Sequence, residues 1–460
     1  MFDRKQRLYK LIIALLFCAN AIAQTLPDTL IRMKDAVQLA EQNYHLLKAR
    51  KYEVDAAAKN VDVTTYSRLP TIDATYQAGL GTANNLTGIF YPYGILPMTG
   101  PPSSGNNYNP ATGSAASILL NWQAITFGQR DAQINVSIAE ANSKKSEWQQ
   151  AVFLHKINVI SSYLDLLLDY DVVSIHQQNI QRVEANLRQS RALANSGIKP
   201  GVDTALFLSE LSKAKIDFLN AQRQLQTQQW ILAQLIVMDN VPVPTDTTFL
   251  HELPPMTAVN DTSFSNHPLV QYARSQFLLS QSKEFLLKKS YLPRVNVWGT
   301  GFARGSGFQQ NAITKTWDGL GFQRYNYGAG VQLAFPIMKY GEVKQQLQAQ
   351  NFLSKAALER VEDSKALLTT QQGIANITFK NSIAVAAETQ QQLKSGLYAF
   401  TAMQVRYDNG LVNFADLIQT QYNLLKAELD LKQAYWEAWK ALLLEAAVNG
   451  DENIFLNEIR

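Results

Sequence analysis

Asp203 and Asp416 are the carboxylates whose placement most invites a chemical reading. Each follows a glycine by six residues, Gly197 and Gly410, and the two stretches lie 213 residues apart. A carboxylate there stands near the start of a helix that follows a turn, where free amides favour negative charge. Tyr407 and Gln419 flank the second glycine. No catalytic constellation accompanies them. His45, His155, His176, His251 and His267 are scattered without metal-ligand spacing. Neither a GxxxxGK[ST] phosphate loop nor a Gly-x-Ser-x-Gly elbow occurs. Gly299-Thr300-Gly301 breaks the dinucleotide pattern at Arg304 and reads as part of a close-packed strand. No enzyme, cofactor or resident metal is expected.

The elements that must hold these residues are written twice. Ser67-Arg68-Leu69-Pro70 is matched by Ser290-Tyr291-Leu292-Pro293, and Asn43-Tyr44-His45-Leu46 by Asn266-His267-Pro268-Leu269, at an offset of 223. Phe127-Gly128 matches Tyr340-Gly341 at the offset of 213 shared by the Gly-x5-Asp turns. The chain is therefore a tandem duplication, with ten extra residues between Pro70 and Gly128. Units this long are not solenoid repeats. The first copy is expected over 24–240, a Pro-rich link over 241–266, the second copy over 267–450 and a tail over 451–460.

The first 23 residues read as a signal peptide: a basic start (Arg4, Lys5, Arg7, Lys10), a short apolar stretch and an Ala21-Ile22-Ala23 cleavage box. The only cysteine, Cys18, lies inside it; lipidation there is the alternative, and the bulky Phe17 counts against it. Cleavage removes four basic residues and one acidic one, so the net charge falls from +4 to +1. That gives no electrostatic case for nucleic-acid binding. No later apolar run is long enough for a transmembrane helix.

Period-two alternation marks four strands. Ile72 to Leu80, Ile118 to Ala124, Val295 to Gly299 and Tyr325 to Phe335 each alternate apolar and polar residues, and each run is about long enough to cross a membrane as a tilted strand. Ile118, Leu120, Tyr327, Val331 and Leu333 then face lipid. Tyr76, Trp122, Trp298, Tyr325 and Phe335 suit an interfacial girdle. The hairpins occupy 70–126 and 293–336. After each, the period becomes helical. Gln129 to Asn195 contains no Pro or Gly. A helix of that length measures ~100 Å. Val152, Val159, Leu166, Val173, Ile180 and Leu187 recur every seven residues, a coiled-coil seam, with Phe379, Ala386, Leu393 and Phe400 in register in the second copy. Long helices are expected at 129–195 and 342–408, returning helices at 203–238 and 414–448, and shorter helices within 31–68 and 267–291.

Helix, Leu-Pro, strand, loop, strand, very long helix, Gly turn and returning helix, all done twice behind a signal peptide, resembles the TolC family of outer-membrane channels. The resemblance covers residues 30 to 450 and rests on the order and spacing of its motifs. It implies a mainly α fold with a membrane β-barrel part: a homotrimer in which each protomer gives four strands to a shared 12-stranded barrel and helical staves to a long periplasmic α-helical barrel. Four strands cannot close a barrel alone, so sharing also follows from the chemistry of lipid. The implied function is an exit duct for small molecules or proteins in the cell outer membrane, with most of the mass in the periplasm. The implied partners are outer-membrane lipid, a periplasmic adaptor and an inner-membrane pump of RND or ABC type. Gly197, Ile198, Arg406, Gly410, Leu411 and Val412 would form the adaptor-facing tip. Leu193 departs from the family by standing where the second copy has Arg406. The resemblance also implies a constriction. Asp416 matches its first acidic position, Tyr407 its tyrosine, and Gln419 replaces its second acidic residue; Asp203 is the counterpart in the first copy. The rival reading is a periplasmic coiled-coil scaffold or adhesin without a pore.

Overall fold

The computed structural model describes residues 29–84, 103–197, 201–240, 242–255, 264–308 and 314–458. The leader over 1–23, with Cys18, lies outside them, as does Ile198. In chain order the elements are β1 (Thr29–Ile31), α1 (Met33–Asn43), α2 (His45–Tyr66), β2 (Thr71–Gly81), β3 (Ala111–Ile125), α3 (Gln129–Asn195), α4 (Gly201–Ile236), β4 (Pro242–Pro244), α5 (Pro268–Lys289), β5 (Arg294–Ser306), β6 (Arg324–Ala334), α6 (Lys339–Asp408), α7 (Phe414–Asn449) and α8 (Asn453–Leu456), with 3-10 turns at Thr247–Leu250 and Asp318–Leu320. Two compact units divide the chain, one holding 54–143 and 275–359, the other 1–53, 144–274 and 360–460. Each unit draws on both copies of the duplication.

The unit of 54–143 and 275–359 contains an antiparallel sheet in the order β2-β3-β5-β6. Its register joins the apolar positions of all four strands. Ile118 stands opposite Ala74 and Gly301, Gly301 opposite Tyr327, and Val297 opposite both Trp122 and Val331. Successive strand residues point to opposite faces. One face therefore carries Ile72, Tyr76, Leu80, Ile118, Leu120, Val295, Val297, Tyr325, Tyr327, Val331 and Leu333. The other carries Asp73, Thr75, Gln77, Ser117, Asn121, Gln123, Asn296, Thr300, Asn326 and Gln332. Tyr327 is 95% exposed and Val331 70%. Along most of its length the apolar face has no cover among the described residues of the protomer.

Two expectations need correction here. Trp298 is not one of them: it lies on the polar face, away from Val295 and Val297 as the alternation requires, and its ring crosses two glycines of the neighbouring strand; a Cβ on Gly330 would stand 2.8 Å from it. A flat ring needs bare backbone to lie across, and Gly328 and Gly330 supply it. The matched Phe127-Gly128 and Tyr340-Gly341 pairs differ. Phe127 (φ 48) and Gly128 (φ 88) make a left-handed turn into α3, whereas Tyr340 and Gly341 lie in the first turn of α6. Residues 31–68 form two helices instead of one. The backbone leaves the helix at Tyr44 (ψ 118), whose ring stacks on His155 with centroids 3.9 Å apart.

The other unit is built on the heptad seam. Val159 and Leu166 of α3, Ala386 of α6 and Leu442 and Ala446 of α7 are fully buried together with Met33 and Ala36 of α1. Tyr163 closes this core: its phenol donates to the Ile31 carbonyl at 2.8 Å, and burial pushes its ionisation well above the ordinary range. Asp246 accepts the first amide of α1, from Met33, at 2.8 Å. The stretch read as a link thus contributes β4, which pairs in parallel with β1, and Phe249 and Leu250 of the core. The tail is no free end either. Phe455 is fully buried and packs edge-on against Trp439, whose indole donates to the Phe249 carbonyl at 2.6 Å. One window of α3 is apolar enough to cross a membrane by composition, yet more than half of it is buried in this packing.

The sheet register makes a sharp prediction. Val331→Arg places a charge on the apolar face and should cost ~2–4 kcal/mol at the middle of a bilayer. Gln332→Arg, one residue away, should be tolerated. Heat-resistant oligomer on gels reads both; equal effects would refute the register.

Candidate functional site at the helical turns

Where α6 turns into α7, Gly410 adopts φ +74. Its amide donates to the Tyr407 carbonyl, and the Leu411 amide donates to that of Arg406, each at 2.9 Å. This pair of bonds satisfies the last carbonyls of the helix and requires a left-handed residue between them. Gly197 takes the same left-handed conformation after α3, φ +73, and its amide donates to the Ala194 carbonyl at 3.0 Å. Gly197, Arg406, Gly410 and Leu411 are exposed, and Val412 is half-buried against the apolar cluster below the turn.

The two matched carboxylates have separate fates. Asn413, not Asp416, caps α7: its side-chain oxygen accepts the Asp416 amide at 2.9 Å. The Asp416 carboxylate is left exposed, without a hydrogen bond or ion pair among the described residues. Gln419 is exposed too and donates to Asn423. Asp203 is buried in α4 and accepts the Tyr407 phenol at 3.0 Å. Tyr407 is 1% exposed and packs edge-on against Phe207, which packs in turn against Phe414. Burial, reinforced by the negative charge of Asp203, pushes the Tyr407 phenol up to about 12. It therefore stays protonated and keeps donating. Asp203 and Tyr407 form a latch between α4 and α6, while Asp416 and Gln419 face outward from α7.

Beneath the latch runs a buried polar ladder. Gln421 of α7 accepts from Asn186 (2.9 Å) and donates to Asn179 (3.2 Å), and Gln404 of α6 reaches Asn186 at 3.4 Å. Arg182 clasps Glu428 through both oxygens at 2.6 and 2.5 Å. These groups sit among Ile180, Leu187, Leu417 and Leu424. Each is bonded to a group on another helix, and a shift of α7 along α3 breaks the Gln421 and Glu428 bonds together. Sequence reading missed Asn413, Phe207 and this ladder. Its one visible trace is the pair Asn179 and Asn186, seven residues apart and each directly before a seam residue.

None of these groups pairs a nucleophile with a base, and no cluster of metal-binding side chains occurs among the described residues. The chemistry available is holding, releasing and presenting charge.

Tyr407→Phe removes the phenol's bond to a buried carboxylate and should destabilise by ~1–3 kcal/mol. Gly410→Ala meets no neighbouring atom within 4 Å, so its cost is purely conformational and should exceed ~1 kcal/mol. Gly410→Asn should cost less than Gly410→Ala. Denaturant melts of the three variants decide this; an alanine no worse than asparagine would remove the left-handed constraint.

The model of the family described as outer membrane efflux protein matches residues 36–236 and 262–443. No curated protein sequence matches the chain. Its fold is shared with solved channels. CusC, whose structures describe folding and transmembrane channel formation, aligns at TM-score 0.74 and 12% identity over 91% of this chain and 92% of that one. The CmeC outer membrane channel of Campylobacter jejuni gives 0.72 and 14% over 91% and 85%. The open state of the MtrE outer membrane channel of Neisseria gonorrhoeae gives 0.71 and 14% over 91% and 89%. At these identities the likeness carries the fold alone, a TolC-like arrangement of long helices with a strand region. The family match spans both copies of the duplication and both matched turns, and the chain belongs to the outer membrane efflux protein family.

Proposed function

We propose that this outer-membrane efflux channel works as a homotrimer, the passive exit duct of a tripartite pump or type I secretion system, with a periplasmic adaptor and an inner-membrane pump of RND or ABC type as partners. The observation that carries the reading is the sheet. It has four strands, one predominantly apolar and largely exposed face, and two edges, β2 and β6, that no other strand among the described residues covers. Lipid accepts neither an open edge nor an unsatisfied amide, so strands from further protomers must complete the closure. Three protomers supply twelve strands. A soluble scaffold would leave the same apolar face in water, which disfavours the adhesin reading.

In this assembly the helices of the other unit form a periplasmic duct, and the turns at Gly197 and Gly410, with Ile198, Arg406, Leu411 and Val412, form the surface met by the adaptor. Asp416 lines the constriction. Its helix already has a cap in Asn413, which leaves its charge free for the lumen. Three such carboxylates under threefold symmetry repel one another and favour bound cations. Gln419 replaces a second ring, so one ring acts alone. The Tyr407–Asp203 latch ties α4 to α6 beside this constriction.

Planar-bilayer conductance tests this. Asp416→Ala should weaken cation selectivity and block by divalent cations, whereas Asp203→Asn, beneath Tyr407, should leave selectivity in place. Unchanged selectivity and block in Asp416→Ala would make that residue a surface carboxylate only. Absence of any conductance from purified oligomer would overturn the channel reading as a whole.

A further inference from the structure

The connection between β5 and β6 does not rise away from the sheet. Residues 315–322 fold back across its apolar face at the strand ends farthest from the helices. Three observations place them there. Ser114, on the apolar face opposite Gly305, donates its hydroxyl to the Gly319 carbonyl at 2.6 Å. A Cβ on Gly305 would lie 2.0 Å from the Gly321 carbonyl oxygen, and one on Gly319 would lie 1.8 Å from that of Thr112. Phe322 meets the Tyr76 ring edge-on at 6.3 Å. Backbone lies directly on backbone, and only glycine allows that distance.

The first five carbonyls of the segment are all hydrogen-bonded. Each carbonyl from Lys315 to Gly319 is an acceptor: Lys315 from the Asp318 amide, Thr316 from the amide and hydroxyl of Thr112, Trp317 from the Leu320 amide, Asp318 from the Gly321 amide and the Gln323 side chain, and Gly319 from Ser114. A surface loop in water has no need of this. A segment next to hydrocarbon does. Its outer side presents Trp317, 72% exposed, with Leu320 and Phe322, while Lys315 and Asp318 pair with each other at 3.8 Å. Trp317, Leu320 and Phe322 thus add apolar surface to this face.

We infer that residues 315–322 form a strap docked on the outer wall of the barrel, and that Trp317, Leu320 and Phe322 enter the outer-leaflet interface of the membrane. The partner is a lipid surface, met by an aromatic and aliphatic row at headgroup depth. The inference rests on the proposed lipid contact of the apolar face, and its test separates the two.

Single cysteines at Trp317→Cys, Val331→Cys and Gln332→Cys, each in full-length Cys18→Ser protein, are labelled with a bimane fluorophore. The protein is reconstituted into phosphatidylethanolamine and phosphatidylglycerol vesicles whose acyl chains are brominated near the headgroup. The probe at 317 should be quenched by brominated lipid about twofold or more and shielded from aqueous iodide, as an interfacial group is. Adding Gly319→Ala, which forces the strap off Thr112, should transfer that probe to iodide. If the probe at 331 is quenched by lipid but the one at 317 only by iodide, the strap lies in water and the inference fails while the lipid face stands. If both are shielded from iodide but only the probe at 331 is quenched by lipid, another protein segment covers the strap and the inference fails equally. If lipid quenches the probe at 332 instead of 331, the face assignment fails and takes the strap with it.

Discussion

An amide in hydrocarbon has no water to bond, and this constraint reaches every part of the sheet. Within the protomer it is met along three ladders, β2 with β3, β3 with β5 and β5 with β6. It is unmet at the two outer edges. The middle ladder is the informative one, because β3 belongs to the first copy of the duplication and β5 to the second. The copies are therefore joined inside the sheet, in one register that puts Ile118, Tyr327 and Val331 on a common face. A slip of one residue would send that whole set to the polar side. The long β3 and β5 strands serve the amide constraint directly, because their shared ladder pairs backbone with backbone over more than ten positions.

The helical unit solves a different problem. A strict heptad seam of Val, Leu, Ile and Phe packs well in several registers, because one apolar layer resembles the next. Asn179, Arg182, Asn186, Gln404, Gln421 and Glu428 break that degeneracy. Each is buried or half-buried with a specific partner, and displacement by one turn would orphan them together. The Tyr407–Asp203 bond does the same close to the turns. Buried polar groups of this kind contribute little net stability compared with apolar substitutes. Their strength is in penalising wrong arrangements.

Duplication made the halves similar without making matched residues equivalent. Asp203 and Asp416 arose at the same place in the repeat, yet one is sealed under a phenol and the other is free. The difference lies in the facing helix. The position in the first copy that matches Tyr407 is Ala194, so Asp416 has no phenol to meet. Tyr44 and His267 are likewise matched, and both mark helix boundaries. Tyr44 stacks on His155, whereas His267 accepts the Leu269 amide at the start of α5 and sets its ring edge-on to Phe153.

The sequence by itself determined the fold class and the positions of its strands and long helices. Alternation, heptads, glycine turns and the absence of Pro and Gly across Gln129–Asn195 are local signals, and local physics suffices to read them. The membership of the apolar face was visible for the same reason, since period two separates faces without knowledge of the partner strand. What only the tertiary structure decided depends on which residues meet across helices. Asn413 caps α7 in place of Asp416, Tyr407 bonds Asp203 in the other copy, and the ladder of asparagines and glutamines pairs α3 with α6 and α7. The stretch 241–255 and the tail at Phe455 looked like connections because they have no period, yet they enter the core through Phe249, Trp439 and Phe455. Alternation assigns Trp298 to the polar face, but only the structure shows that Gly328 and Gly330 on the neighbouring strand clear a bed for its ring. Contacts between residues far apart in the chain leave no periodic trace, so distance in sequence is where the reading stopped.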